Sequence, residues 1–323
     1  MLAGGLGIGA ALASTPGVAS ADPSTDALSW LDELLSGVSL PAQATAAPLD
    51  MQISFSGIDL LPTAGNTATA NSEFGSIAIA IGNGANANAN GGFFNFSLAD
   101  GDGASSSANT GGFGSFDVAV AEGTGSSAGA GVIGNFDTAF ALGAGSSAST
   151  GLDGNWDASF ASGAGSSAST GLDANWDASF ASGAGSHASA GLNSDFDIAS
   201  AVGPDSNAAA GLGGSLISAS ADGANSSAIA GFGFFDNASA VGTDSSAYVS
   251  GSLDSALVNG AESLAKVVAG IFGSAIVFGD GSSALAGGDL TVPASFDLAA
   301  VFGDMLDANA TGANWLIDIL PSL

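Results

Sequence analysis

Gly143 to Ser162 reads GAGSSASTGLDGNWDASFAS, and Gly163 to Ser182 reads GAGSSASTGLDANWDASFAS; nineteen of the twenty residues are identical. Working outward from this pair, divergent copies begin at Gly82, Gly101, Gly123, Gly183, Gly203, Gly223 and Gly242, 19 to 22 residues apart. The pattern is interrupted and returns at Gly279, ending near Gly303. A fixed period of about 20 residues is the mark of a repeat architecture in which each unit buries its apolar side only by stacking on its neighbours.

Each period holds two extended pieces. Phe136-Asp-Thr-Ala-Phe-Ala-Leu142 and Ser76-Ile-Ala-Ile-Ala-Ile81 run into the anchor glycine with alternation of period two, a strand signal. Ser146-Ser-Ala-Ser-Thr150 follows the Gly-x-Gly corner and closes at Gly151. Two short strands and two glycine corners per period predict an all-β fold, a parallel β-solenoid of about ten coils of ~20 residues with small helical or strand caps at both ends.

Stacking turns every repeat position into a ladder with rungs ~4.8 Å apart. Seven residues before the anchor glycines stand Phe94, Phe116, Phe136, Trp156, Trp176, Phe196, Leu216, Phe235, Phe272 and Phe296, and one residue later come Asp117, Asp137, Asp157, Asp177, Asp197, Asp236 and Asp297. Alanine recurs five residues after most anchors, as at Ala128, Ala148 and Ala168. Burying an unpaired charge costs several kcal/mol or more, so the expectation is aromatics inward and Asp outward. Phe140, Phe160 and Phe180 share the aromatic parity and are expected in the core as well. Ser200, Ser218, Ser220 and Asp222 share it too, which would require a polar interior or a bulge in the later coils.

The flanks divide the chain further. Residues 1–21 read as a signal peptide: an apolar run from Leu2 to Ala13, the breakers Pro16 and Gly17, then Ala19-Ser20-Ala21 before Asp22, although no basic residue precedes the run. Residues 22–73 are expected to form an N-terminal cap, with Leu28, Leu31, Leu34 and Leu35 at helical spacing and Met51 to Leu60 alternating like a strand. The solenoid repeats occupy 74–258. Residues 259–278 read as a helical insertion (Ala261 to Phe272) with a return strand, 279–303 as the last coil, and 304–323 as a C-terminal cap whose apolar Trp315 to Leu320 folds over that coil.

Composition narrows the chemistry. The 323 residues carry 30 acids against one base, Lys266, for a formal charge of −29, with no cysteine and a single histidine, His187. Nucleic-acid binding needs cations that this chain lacks, and P-loops, Cys/His zinc sites, disulfides and Ser-His-Asp triads lack their raw material. Nineteen Phe and four Trp argue against a disordered acidic chain. Beyond residues 1–21 no apolar run reaches the ~20 residues of a membrane helix.

Ser76-Ile-Ala-Ile-Ala-Ile-Gly-Asn-Gly-Ala85 and Ala275-Ile-Val-Phe-Gly-Asp-Gly-Ser-Ser-Ala284 resemble the β-roll head repeats of trimeric autotransporter adhesins. The period here is longer, and with no coiled-coil stalk or barrel anchor following, neither trimerisation nor autotransport is implied. The segment Ala19-Ser-Ala-Asp-Pro23 and the Gly/Ala/Asn/Ser-rich repeats resemble exported actinobacterial, especially mycobacterial, surface proteins, and the glycine-rich PGRS type in composition, without the dense Gly-Gly-Ala/Asn tandem. The resemblances imply a secreted or cell-surface protein of adhesive or structural kind.

Candidate sites are few. An outward Asp ladder at ~4.8 Å spacing would be self-repelling, and Ca²⁺, which accepts flexible oxygen cages, would relieve it; Asp117, Asp137, Asp157, Asp177 and Asp197 are the candidate ligands, helped by Asn135, Asn155 and Asn175. The other reading is a solvated Asp at a turn. Trp156 and Trp176 would stack on sugars if exposed. The Ser row (Ser147, Ser149, Ser167, Ser169, Ser227, Ser246) lacks the regular Thr-x-Thr array of an ice-binding face. His187 takes the place of Ser147 and Ser167 and reads as a surface residue. No carboxylate pair stands out as catalytic. The function expected is therefore a non-enzymatic exported structural or adhesive protein, with a Ca²⁺-dependent binding or assembly module and a carbohydrate-binding or carbohydrate-active β-helix as alternatives. No cofactor other than Ca²⁺ is implied. Expected partners are envelope components, a host surface, or further copies of the chain, and not nucleic acid.

Overall fold

The structure, a computed structural model, describes residues 50–61, 65–108, 114–173, 175–211, 213–268, 270–287, 297–310 and 317–321. The signal-like segment 1–21, the helical pattern at 28–35 and Phe296 lie outside the described residues. Residues 48–323 form one unit, an all-β parallel solenoid of about eleven turns of ~20 residues, with no helix among the described residues.

Each coil lays one five-residue strand, such as Thr138–Leu142, into a first sheet. After the anchor glycine it lays a strand such as Ser167–Thr170 into a second. Both sheets are in register, residue against equivalent residue: Phe140 pairs with Phe160 and Ala148 with Ala168. Glycine is required at the anchor corner. Gly163 has φ +136°, and a Cβ there would sit 2.7 Å from the carbonyl oxygen of Gly183 in the next coil. The third side of the coil is short: Asn155 bridges Asn175, Asn175 bridges Asp195, and farther along Gly251–Ser252 pairs with Gly270–Ile271.

At the N-terminal end the antiparallel strands Met51–Phe55 and Ile58–Asp59 close the first sheet, as the alternation of 51–60 led one to expect. At the other end Ile317–Pro321 adds in parallel to Leu298–Phe302. Residues 261–272 are not a helix. Leu264–Val267 is an ordinary strand of the second sheet, paired on both sides, with Leu264 and Lys266 half-buried and Ala265 and Val267 buried. Whatever helical preference this stretch has locally loses to hydrogen-bonded neighbours on both flanks. Gly260 is the anchor of this coil, 18 residues after Gly242.

The core is narrow and lined chiefly by alanine: Ala139 and Ala141 from the first sheet face Ala128 and Ala148 from the second. Towards the C-terminus Val249, Val258, Val267, Val277 and Val301 take over. Serines that enter this space bond each other, Ser97 to Ser106 at 2.8 Å and Ser159 to Ser179 at 3.1 Å.

Candidate functional site

The corner before the first-sheet strand is where the fold places its unusual chemistry. Its key residue adopts a left-handed backbone in every described coil: Phe136 at φ 63°, Trp156 at 67°, Trp176 at 66°, Leu216 at 62°. Such a φ costs a non-glycine residue roughly 1–2 kcal/mol, and Gly75 takes the same place in the first coil without that strain. The turn sends the ladder side chain to solvent and the following residue into the coil.

The expected orientation is therefore reversed. Asp117, Asp137, Asp157, Asp177 and Asp197 are 0–1 % exposed, as are Asp236, Asp254 and Asp297, whereas Trp156 is 49 % and Trp176 53 % exposed. Phe140 and Phe160 also lie on the outer side, half-buried, and Phe180 is exposed. Ser200, Ser218, Ser220 and Asp222 occupy that same outer face, so no bulge and no polar interior is needed to house them. Volume decides the matter: a bore lined by alanine has no room for stacked rings. The carboxyls, for their part, do not enter unpartnered.

Each inner carboxyl holds the next coil. Asp117 Oδ1 accepts the N–H of Asp137 at 3.1 Å, Asp137 that of Asp157 at 3.1 Å, Asp157 that of Asp177 at 3.0 Å and Asp177 that of Asp197 at 2.7 Å. Asp197 does the same for Ile217 at 2.8 Å, and Asp236 for Asp254 at 3.1 Å. The file begins with neutral residues doing the same work: Ser76 Oγ accepts the N–H of Asn95, and Asn95 Oδ1 that of Asp117. The second atom differs. Asn95 Nδ2 donates to the carbonyl of Gly114 at 3.4 Å, whereas Oδ2 of Asp117, Asp137, Asp157, Asp177, Asp236 and Asp254 is buried with no hydrogen-bond partner among the described residues. Asp197 Oδ2 is likewise buried without a hydrogen-bond partner there, the nearby Ser194 hydroxyl being directed to the carbonyl of Gly211.

A buried oxygen placed where an amide would donate favours the protonated acid. Burial, the largest cause, raises Asp117, Asp157 and Asp236 to about 6. It carries Asp137, Asp177 and Asp254 to about 8, where neighbouring carboxylates add to the rise. Neighbouring carboxyls influence one another's titration within the run Asp117 to Asp197 and within the pair Asp236 and Asp254, which Ile217 separates.

The same packing tests the calcium reading. Ca²⁺ takes six to eight oxygens, but here Oδ1 is occupied by an amide and Oδ2 lies against the bend of its own coil: a Cβ on Gly131 would stand 2.7 Å from Asp137 Oδ2. Among the described residues no group of three or more acidic or histidine side chains is arranged to hold a metal. The donors do not fit a calcium cage; a proton is the cation this space admits. Asn135, Asn155 and Asn175, the proposed helpers, sit half-buried at the bend, where Asn135 and Asn155 each donate an amide N–H to the next coil's asparagine and Asn175 donates to Asp195.

Outside, the aromatic ladder is a ridge. Successive centroids from Phe94 through Phe116, Phe136, Trp156 and Trp176 to Phe196 are 5.3, 5.0, 4.4, 5.1 and 6.1 Å apart, with planes within 22° of parallel. Exposed Leu216, Phe235 and Leu253 continue it. Leu253 and Asp254 escaped the sequence reading because Gly260 was not recognised as their anchor. The rings cover one another's faces, so solvent meets their edges. Beside the ridge a second stack, Phe140, Phe160 and Phe180, runs at 5.2 Å spacing. His187 is exposed on the second sheet between Ser167 and Asn207, among the outward serines.

No family model, curated protein or solved structure matches this chain. Among the described residues no helix is long and apolar enough to cross a membrane.

Proposed function

We propose that this chain is a non-enzymatic structural or adhesive protein, exported to the cell envelope or surface, whose solenoid serves as a support for one apolar binding side. The observation that carries this reading is the ridge itself: half-exposed rings from Phe94 to Phe235, held outside a core too narrow to take them. Soluble monomers rarely expose a continuous apolar patch beyond a few hundred Å², so a surface of this kind is kept for contact. The export signal read in residues 1–21 and the adhesin-like phrases support the location.

The edge-on rings weigh against sugar stacking, which needs a free ring face, and the inward carboxyls weigh against a calcium-conditioned surface. Co-sedimentation of the full chain with envelope material tests the proposal. Binding should fall at least tenfold in the variant Phe136→Asn, Trp156→Asn, Trp176→Asn, since asparagine tolerates the left-handed backbone at these positions. Equal binding by this variant and the wild type would overturn it.

A further inference from the structure

The charge map adds something the ridge alone does not say. The chain carries a formal charge of −29, yet the ridge positions and the first two outward positions of the adjoining strand are uncharged in every coil from Phe94 to Ile276. These outward pairs include Val118 and Val120, Thr138 and Phe140, Ala158 and Phe160, and Ser218 and Ser220. The acids gather elsewhere. Asp102, Glu122, Asp205, Asp222, Asp244 and Glu262 crowd the anchor corner, about seven residues and so roughly 23 Å of extended chain from the ridge. From the ridge itself that exceeds the Debye length of ~8 Å at physiological ionic strength, whereas Glu122 and Asp222 stand only two residues, about 7 Å, beyond Val120 and Ser220 on the same outer face and edge the stripe on that side. On the ridge's other flank the described acids are Asp153, Asp173 and Asp195.

We infer that the occupant of the ridge is a second copy of this chain, laid alongside the first so that the two ridges meet. This rests on reading the ridge as the binding side and names its partner, a second copy with which envelope material would compete for the same rings. Three observations converge. The uncharged stripe is a lane along which two such acidic molecules approach with no carboxylate on the stripe itself; the outward positions of the second sheet from Asn86 to Ser169 are free of acids as well, but they hold mostly serine and asparagine and no aromatic ridge. A ridge with rungs 4.4 to 6.1 Å apart interdigitates over its length only with a surface of the same period, and a second solenoid has it. The area suffices: an aromatic side chain offers about 200 Å², so the eight half-exposed rings from Phe94 to Phe272 present roughly 800 Å² and Leu216 and Leu253 add to it, against about 800 Å² per partner in a stable complex. A two-fold pair closes on itself, which limits the assembly to two.

Sedimentation velocity of the full chain over a concentration series, at low and at high NaCl, tests the inference. The wild type should be a dimer whose dissociation constant falls at least several-fold as salt screens the residual repulsion. The variant Phe136→Asn, Trp156→Asn, Trp176→Asn should be monomeric, with an unchanged β circular-dichroism spectrum. If that variant fails to fold, Thr138→Glu with Ser218→Glu puts charge on the stripe and leaves the rings intact; it should also dissociate the pair. A wild type that stays monomeric at all concentrations, or a dimer that both variants keep at unchanged affinity, overturns the inference. A monomer that still binds envelope material through the ridge would sink the pairing and spare the adhesive reading. Ridge variants that alter neither property would sink both.

Discussion

The first two coils and the five that follow build the same inner corner from different atoms. Ser76 and Asn95 offer a neutral acceptor to the next coil's N–H, and Asn95 has an amide left over to donate. From Asp117 to Asp197 the acceptor is kept but the donor is exchanged for an oxygen that can donate only when it carries a proton. Position and hydrogen bond are the same while the response to pH differs. Where the corner is polar it offers one acceptor and one donor, and aspartic acid supplies the donor only when protonated; Ile217 and Gly273 take the same position in later coils with neither.

The largest effect should come from erasing the difference. Asp137→Asn, Asp157→Asn and Asp177→Asn together supply three permanent donors; with about 1–3 kcal/mol for each buried group satisfied, the melting temperature at pH 8 should rise by several degrees or more. A fall at that pH, measured by circular dichroism, would break the comparison. Next in size is the pH profile of the wild type. The carboxyls hold their protons more tightly folded (about 6 to about 8) than unfolded, near the ordinary 3.8. The folded chain therefore binds more protons between about pH 4 and pH 8, and stability must fall as pH rises through that window. Thermal melts should give the higher melting temperature at pH 5, and the triple Asn variant should flatten the slope. The converse change, Asn95→Asp, extends the file by one carboxyl; it should cost about 1–3 kcal/mol at pH 8 and far less at pH 4. The smallest effect is expected from metal: replacing EDTA by Ca²⁺ should leave the melting temperature of the full chain where it was, and a clear rise would restore a role for the carboxyls as ligands.

Much of this was legible in the sequence. The 20-residue period, the strand alternation and the glycine corners lead to a parallel solenoid without further help, because each is a backbone requirement repeated in every copy. The orientation of the ladders follows not from the charge of Asp137, which pointed the other way, but from the volume of its companions. Asp137, Ala139 and Ala141 share one parity, Phe136 and Phe140 the other, and a wall of alanines in the facing strand already says which side is narrow. Gly75 in the place of an aromatic was a second sign, marking a left-handed position. The protonated state was not legible, since it depends on where a second oxygen lies when the first is bonded. The coil at 260–272 was hidden by its own composition, the Gly-x-Gly corner having become Gly260-Ala-Glu262.

One property of the carboxyl bonds has a direction. Every Oδ1 from Asp117 to Asp177 accepts from the coil that follows it and never from the one before, and the antiparallel strand Met51–Phe55 seals the first sheet at its start. A chain that emerges N-terminus first, from a ribosome or an export channel, therefore presents at its growing tip an acceptor already in place for the next twenty residues. The order in which the polypeptide arrives is the order in which its contacts can be completed, and the molecule can assemble as a ratchet with one winding sense along its own sequence.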